Sequence, residues 1–370
     1  MATGVRIIRG QLAPSDWQGF QPPTVFQRPE SMRAWTHTFG AARNPVLLLA
    51  ENAQGRALLP LAVDAAAPWP GTSGVSLFHR LHPGRRYELA MAGARLWGRL
   101  GGILRGTHCH VLGAGPCEEQ DMLVAGKVPA AEIAAGLDRL RCRRLTVASI
   151  AGDSPLTTLL PQLFSDVSMR QCDVMPVLHT GRQALASFRK LHPNDAYKHR
   201  RLLRRGGRIE HVTDTDEARR ILARAFELKR SNCLQEGKFN LFADRRYEHW
   251  LDQLVTGRLG DFVHLDALFI GTDLAACVVY FTAPNVWSMY FVVYDKAFAK
   301  QSPGTVLLWD LLERAVAAQV PVFSFLAGDE HYKERWADDV IPLLTIEAAG
   351  LLHPSQVPAT LQASPETPAG

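Results

Sequence analysis

The chain has 370 residues, of which 47% are hydrophobic and 21% charged, a globular balance that excludes a disordered chain, a collagen and a coiled-coil rod. This length predicts two domains of about 100–200 residues each. Lys plus Arg number 41 against 36 Asp plus Glu, and a net charge of +5 does not by itself imply a nucleic-acid partner.

Turn clusters stand at Pro22-Pro23 and Asn44-Pro45. Two apolar runs of strand length, Val46–Ala50 and Ala57–Val63, flank Gln54-Gly55 and predict an antiparallel hairpin. Residues 65–74 read as a loop, with a helix over 87–100 whose Leu89, Leu96, Trp97 and Leu100 share one face. A helix over 130–140, a strand over 144–150, a helix start at Asp153-Ser154-Pro155 and a strand over 174–179 close the first half. The second half opens near Arg182 with a basic segment. Asp214–Asp216 and Asp244 then cap two helices. Three β-rich runs follow, 263–270, 274–282 and 286–294, parted by Gly271-Thr272-Asp273 and Ala283-Pro284-Asn285, a meander. A loop over 295–303, a helix over 305–319 and strands over 322–326 and 341–347 complete it. The last twenty residues hold four prolines and no periodicity, and read as a frayed tail.

Positive charge is concentrated in one place. Residues 189–208 hold eight Lys/Arg and one acid, Asp195, so the rest of the chain sums to −2. Arg200/Arg204 and Arg201/Arg205 are spaced i,i+4, sharing one helix face, while Leu202 and Leu203 point elsewhere. Such a stripe suits an anionic acceptor, a nucleotide-sugar diphosphate or a tRNA backbone, or equally a solvated face paired with acids. No aromatic interleaving suited to base stacking is visible, so no nucleic-acid partner is expected.

The six cysteines form no C-x-x-C pair and read as reduced thiols. His108-Cys109-His110 puts both imidazoles on one side of a strand, yet no second ligand pair stands nearby, so no metal is expected. G-x-S-x-G and P-loop motifs are absent. No apolar run reaches the roughly 18–20 residues of a membrane span, and the N-terminus lacks a signal-peptide core, so a cytoplasmic location is expected.

The informative stretch runs from Phe291 to Trp336. A strand ending Phe291-Val292-Val293-Tyr294 leads through a loop into Gln301-Ser302-Pro303-Gly304-Thr305-Val306 at a helix start. Exposed amides and the helix dipole favour an anion there, and Gly304 lets a backbone come close. The hexamer Q-x-x-G-x-V is one residue away from Q-x-x-G-x-[G/A], the pyrophosphate loop of the GNAT acyltransferases. With the preceding meander, and with F-x-F-L-x-G-x-E-x-Y-K-x-x-W over Phe323–Trp336, the chain resembles the CelD/BcsL-like acetyltransferases of cellulose and exopolysaccharide production, related to the Fem-type aminoacyltransferases. The basic helix, Asp273-Leu274-Ala275-Ala276 and the ALLPLA strand of Ala57–Ala62 extend the likeness. It departs at Val306, where the family has a small residue, and at Ser324, where it usually has Asp.

The resemblance implies an α/β (α+β) fold of two tandem GNAT-like halves, each a mixed, mostly antiparallel sheet flanked by helices. The boundaries expected are 1–180, 181–350 for the acyltransferase half, and 351–370 for a flexible tail. It implies an acetyl-CoA or other acyl-CoA co-substrate held by Phe291–Tyr294 and Gln301–Val306. The acyl group would pass to an amine or hydroxyl of a small-molecule, polysaccharide or cell-envelope precursor, with polysaccharide-synthesis proteins as partners. Direct transfer needs carbonyl-polarising donors, a base and an acid. Amides of Val292–Tyr294 are the candidate donors, Tyr332 the acid, Glu330 the base and Asp295 a substrate-orienting group. Arg200, Arg204, Lys333 and Trp336 are the candidate acceptor contacts. Two alternatives stand beside this: a Fem-type transferase using aminoacyl-tRNA, and a non-catalytic partner of a polysaccharide-synthesis assembly.

Overall fold

In a computed structural model the described residues are 4–362, except 11, 41–43, 65–106, 114, 183 and 238–240. The loop expected over 65–74 and the helix over 87–100 lie outside them. The chain divides into two compact units, one formed by residues 1–174 with 342–370 and the other by 175–341.

The first unit is built outward from the hairpin at Gln54-Gly55. Strands β1 (Gly4–Arg9), β2 (Pro45–Glu51) and β3 (Gly55–Asp64) pair antiparallel, with Leu48 opposite Leu59. A helix, α1 (Pro29–Phe39), lies between β1 and β2 in sequence. Strand β4 (Thr107–Val111) continues the sheet from β3, and β5 (Leu123–Gly126) pairs with the other end of β3. After α2 (Ala130–Arg139) comes β6 (Cys142–Ala151), parallel to β4. After α3 (Pro155–Leu163), capped by Ser154 Oγ, comes β7 (Phe164–Leu178). The last strand, β13 (Asp339–Leu351), pairs antiparallel with β6. Apolar side chains of α2 and α3, among them Ile133, Leu137, Leu156 and Leu160, close over Leu48, Leu59, Val147 and Ile150 as one core.

The segment expected to fray is ordered against this unit through residue 362. Leu361 exchanges backbone hydrogen bonds with Val128, and Val357 is buried. Two apolar side chains with a backbone acceptor to reach outweigh the lack of periodicity.

Two carboxyls of this unit, Glu119 and Asp121, are half-buried and repel each other. Burial pushes the pKa of Glu119 up to about 8, with Glu118, Asp121 and Asp153 adding repulsion, and its Oε2 has no hydrogen-bond partner. Burial also lifts Asp121 to about 7, against the hydrogen bond that it accepts from Ser154. A carboxyl whose folded pKa is raised contributes stability that is full below its unfolded pKa and lost as pH rises through the folded value. Glu119→Gln should therefore unfold at higher urea than wild type at pH 8.5, with the difference vanishing near pH 4; equal midpoints at both would contradict the buried charge.

In the second unit the basic segment is interrupted. His192-Pro193 separates α4 (Leu185–Leu191) from α5 (Pro193–Arg204), and Gly206, at φ +89°, turns the chain into β8 (Gly207–His211). Helices α6 (Thr215–Glu236) and α7 (Arg245–Arg258) start where Asp214 and Asp244 cap them, as expected. The meander forms as β9 (Val263–Ile270), β10 (Asp273–Thr282) and β11 (Val286–Tyr294). Helix α8 (Pro303–Ala317), the short β12 (Val322–Ser324) and the one-turn α9 (His331–Glu334) follow. Strand order is β7–β12–β11–β10–β9–β8, antiparallel except where β11 meets β12. Helix α8 is apolar on most of its surface, and Val306, Leu307, Trp309, Leu311 and Leu312 sink into a core with Val278, Met289 and Phe323.

Candidate active site

The geometry starts from a strand that keeps one neighbour and loses the other. β11 pairs with β10 up to Tyr294, but with β12 only through Ser288 opposite Ser324. A bulge in β11 between Met289 and Phe291 marks the departure. Asp295 N–H donates to Ala275 O of β10 at 2.9 Å. Backbone groups alternate along a strand, so Val293 and Phe291 also face β10, whereas Tyr294 and Val292 face the opposite edge. Asn232 Nδ2 donates to Tyr294 O at 2.9 Å, in keeping with that direction. No strand pairs with this edge beyond Ser288 among the described residues, so the Val292 and Tyr294 amides have no strand partner there.

The end of β11 meets the start of α8. A Cβ on Gly304 would stand 3.3 Å from Tyr294 Cδ1, so the missing side chain is what lets the first helical turn lie against that ring. Ser302 takes left-handed backbone angles (φ +51°, ψ +49°), Pro303 fixes the first helical position, and Val306 N–H bonds Ser302 O at 3.0 Å. This leaves Gly304 and Thr305 N–H without an acceptor inside the helix, at its positive end. Val306 is fully buried, so its bulk goes to the core and not to that turn. Gln301 lies on the exposed stretch leading into the turn.

The motif loop after β12 is a brace. Ser324 Oγ accepts from Leu326 N–H at 3.1 Å, and Leu326 and Gly328 hold φ of +56° and +119°. At φ +119° Gly328 holds a backbone conformation that side-chain-bearing residues rarely adopt, so glycine is favoured there. Ser324 thus supports the loop with its hydroxyl. Lys333, expected at the acceptor, is 4% exposed and lies inside the loop. Its Nζ donates to Ala327 O at 2.6 Å and pairs with Glu330 Oε2 at 2.8 Å. Lys333→Met should cost about 1–3 kcal/mol of unfolding free energy in urea, because a buried carbonyl and a carboxylate lose their donor; an unchanged midpoint would refute the brace.

The other candidate residues divide in the same way. Trp336 is buried, 4.6 Å from the His192 ring and beside Phe188 and Trp309, so it is core and not acceptor surface. Burial and then Arg335 lower the His192 pKa. Glu330 is tied to Lys333, and Asp295 caps the turn after β11, accepting from Ala297 N–H at 2.9 Å and lying 3.5 Å from Arg224. Tyr332 is 40% exposed, on the turn that follows β12. Arg200 and Arg204 are exposed on α5, away from the side where Ala196 and Leu202 join the core. The sequence reading missed Asn232, whose position on α6 gives no local sign that it reaches Tyr294 O.

Residues 187–334, less than half of the chain, match the family model described as an acetyltransferase (GNAT) domain. That stretch holds the β11 edge, the α8 start and the brace. Among solved structures, a conserved protein of unknown function from Bacteroides thetaiotaomicron VPI-5482 is similar at a TM-score of 0.57 and 9% identity, covering 93% of this chain and 100% of that one. FemX is similar at a TM-score of 0.55 and 9% identity, over 93% and 97%. A tandem GNAT protein from the clavulanic acid biosynthesis pathway is more distant, at 0.44 and 12% identity over 94% and 99%. At these identities the first two likenesses show a shared fold. No curated protein sequence matches the chain. The second unit therefore carries a GNAT-type acetyltransferase domain, in a chain whose fold is similar to that of FemX.

Proposed function

We propose that the chain is an acyl-CoA-dependent acyltransferase whose acceptor is an amine or hydroxyl of a polysaccharide or cell-envelope precursor. The observation that supports it most is the meeting of a strand edge without a strand partner, at Val292 and Tyr294, with a helix N-terminus whose Gly304 and Thr305 amides have no acceptor within the helix. Unpaired amides of both kinds fit a long, amide-containing, phosphorylated ligand. The acceptor class rests on the family resemblance.

Bound there, coenzyme A would supply the acyl group as a thioester, the acceptor's N or O forming the new bond to the carbonyl carbon as the C–S bond breaks. The Val292 and Tyr294 amides would polarise the carbonyl, and Gly304 and Thr305 would hold phosphate. Tyr332 would give its phenolic proton to the departing sulfur. Glu330 and Asp295 are engaged by Lys333 and by the turn, so the acceptor's proton would pass to solvent water, from which Tyr332 would regain its own.

Product formation with acetyl-CoA and amine- or hydroxyl-bearing sugar nucleotides tests the reading. Tyr332→Phe should lower kcat by about 10²–10⁴ with little change in KM for acetyl-CoA. An unaltered kcat removes Tyr332 from the chemistry, and an absence of product with every acceptor, despite coenzyme A binding, would favour a non-catalytic role.

A further inference from the structure

One face of α5 has charges without partners. At 100° per residue, Ala196, His199 and Leu202 share the inward side, where His199 Nε2 meets Asp310 at 3.2 Å. The opposite side carries Tyr197, Arg201 and Arg204 at its centre, with Arg200 and Arg205 along its borders. These five residues line a hollow of about 200 Å³. Other cations of the segment are neutralised: Arg189 by Glu313, Lys198 by Asp195 and Arg208 by Glu210. Among the described residues, Lys190 and the four arginines of the hollow have no acidic partner. The same short stretch exposes apolar surface, with Leu191 67% and Tyr197 57% accessible.

We infer that this face of α5, with the end of α4, docks on an anionic lipid bilayer. Five unpaired cations match the phosphates of an anionic headgroup layer, and each adds to attraction that falls with salt. Charge alone would suit RNA equally. The exposed Leu191 separates the two, since a bilayer interface buries aliphatic side chains and a polynucleotide does not. Tyrosine and arginine suit that boundary, the ring lying among headgroups and the arginine stems on apolar surface with their heads in water. The contact is peripheral: among the described residues no helix is long and apolar enough to cross a membrane. Apolar burial of Leu191 and electrostatic attraction to anionic headgroups add in such a surface contact. This inference does not depend on the acyltransferase reading.

The test is sedimentation of the full chain with vesicles of phosphatidylcholine alone, and of three parts phosphatidylcholine to one part phosphatidylglycerol. The chain should bind the anionic vesicles at least about tenfold more tightly, and lose that preference at high salt. Arg201→Glu with Arg204→Glu should weaken binding by about tenfold or more. Leu191→Ser changes no charge and should weaken vesicle binding while leaving any affinity for a single-stranded RNA unaltered. Equal or absent binding to the two vesicle types would overturn the inference. So would RNA binding that the arginine changes abolish in a chain that ignores vesicles. The wild-type comparison decides the matter even if a variant fails to fold.

Discussion

Coenzyme A or acetyl-CoA at about 100 times its dissociation constant should stabilise the chain by about 2.7 kcal/mol, and Gly304→Glu should remove that stabilisation. For a unit of this size the wild-type shift is on the order of 5–10 °C. The argument is local. Gly304 lies in the first turn of α8, and a Cβ there already stands 3.3 Å from the Tyr294 ring. A longer side chain has to turn outward across the Gly304 and Thr305 amides, where it sets a carboxylate in place of a ligand phosphate. A carboxylate at a helix N-terminus favours the helix itself, so the variant should keep its ligand-free unfolding temperature within a few degrees. Gly304→Ala separates shape from charge: the ring must yield by a few tenths of an ångström, and the ligand shift should shrink without vanishing. An undiminished shift in Gly304→Glu would remove the α8 turn from the site. Turnover measured alongside should fall with the shift, since the same contact serves both.

What could be read in the sequence was what neighbouring residues decide. The Gln54-Gly55 hairpin, the three-strand meander and the caps at Asp214 and Asp244 rest on turn chemistry and period within a few positions, and all form. The meeting of Tyr294 with the Gly304 turn was legible because loop and helix start are contiguous in sequence. Side chains whose fate is set by distant packing were not legible. Trp336 lies against Phe188, His192 and Trp309, drawn from three separate elements, and no spacing announces that. Lys333 looks like a solvent lysine until the positive φ of Leu326 and Gly328 folds the loop over its ammonium group. β8 was hidden in a segment whose charge dominated its reading, although Gly206-Gly207 was the available signal. Tyr197 is an aromatic among arginines, which the sequence reading passed over when it found no interleaving.

Asp266→Ala should destabilise the second unit by about 3–5 kcal/mol, the effect expected when one member of a buried ion group is deleted. Its carboxylate is 1% exposed on β9 and receives two charged or chargeable donors, Arg314 Nη2 from α8 and His211 Nδ1 from β8 at 2.9 Å. Arg314 also reaches Asp310 Oδ2 at 3.0 Å and the Tyr280 hydroxyl at 3.0 Å, and Asp310 meets His199. Two carboxylates face one guanidinium, so the group carries one net negative charge while both histidines are neutral. Burial pushes Asp310 up, but His199 and Arg314 outweigh it and hold it below the usual carboxylate range. Burial works against the Arg314 charge too, and Asp266, Tyr280 and Asp310 together more than offset it, raising its pKa. Without Asp266 the guanidinium loses that compensation and the β8–β9–α8 corner loses its common acceptor. The hydrogen bond from His211 to Asp266 raises the His211 pKa against a smaller effect of burial. A histidine raised in the folded state stabilises fully below its unfolded pKa, about 6.5, and loses that contribution as pH rises through the folded value. His264 acts in the opposite sense: burial lowers its pKa, so its contribution is lost as pH falls. The informative quantity is therefore the difference between variants. Urea unfolding of wild type and His211→Gln should converge as pH rises through the raised folded pKa of His211 and diverge as pH falls below the ordinary histidine value, and in the Asp266→Ala background that divergence should disappear. Arg314→Met should match Asp266→Ala within about 1 kcal/mol, and the double variant should cost much less than the sum, because removing both partners leaves no charge stranded. Additive losses would mean that Asp266 and Arg314 act separately and that the corner is held by its apolar contacts alone.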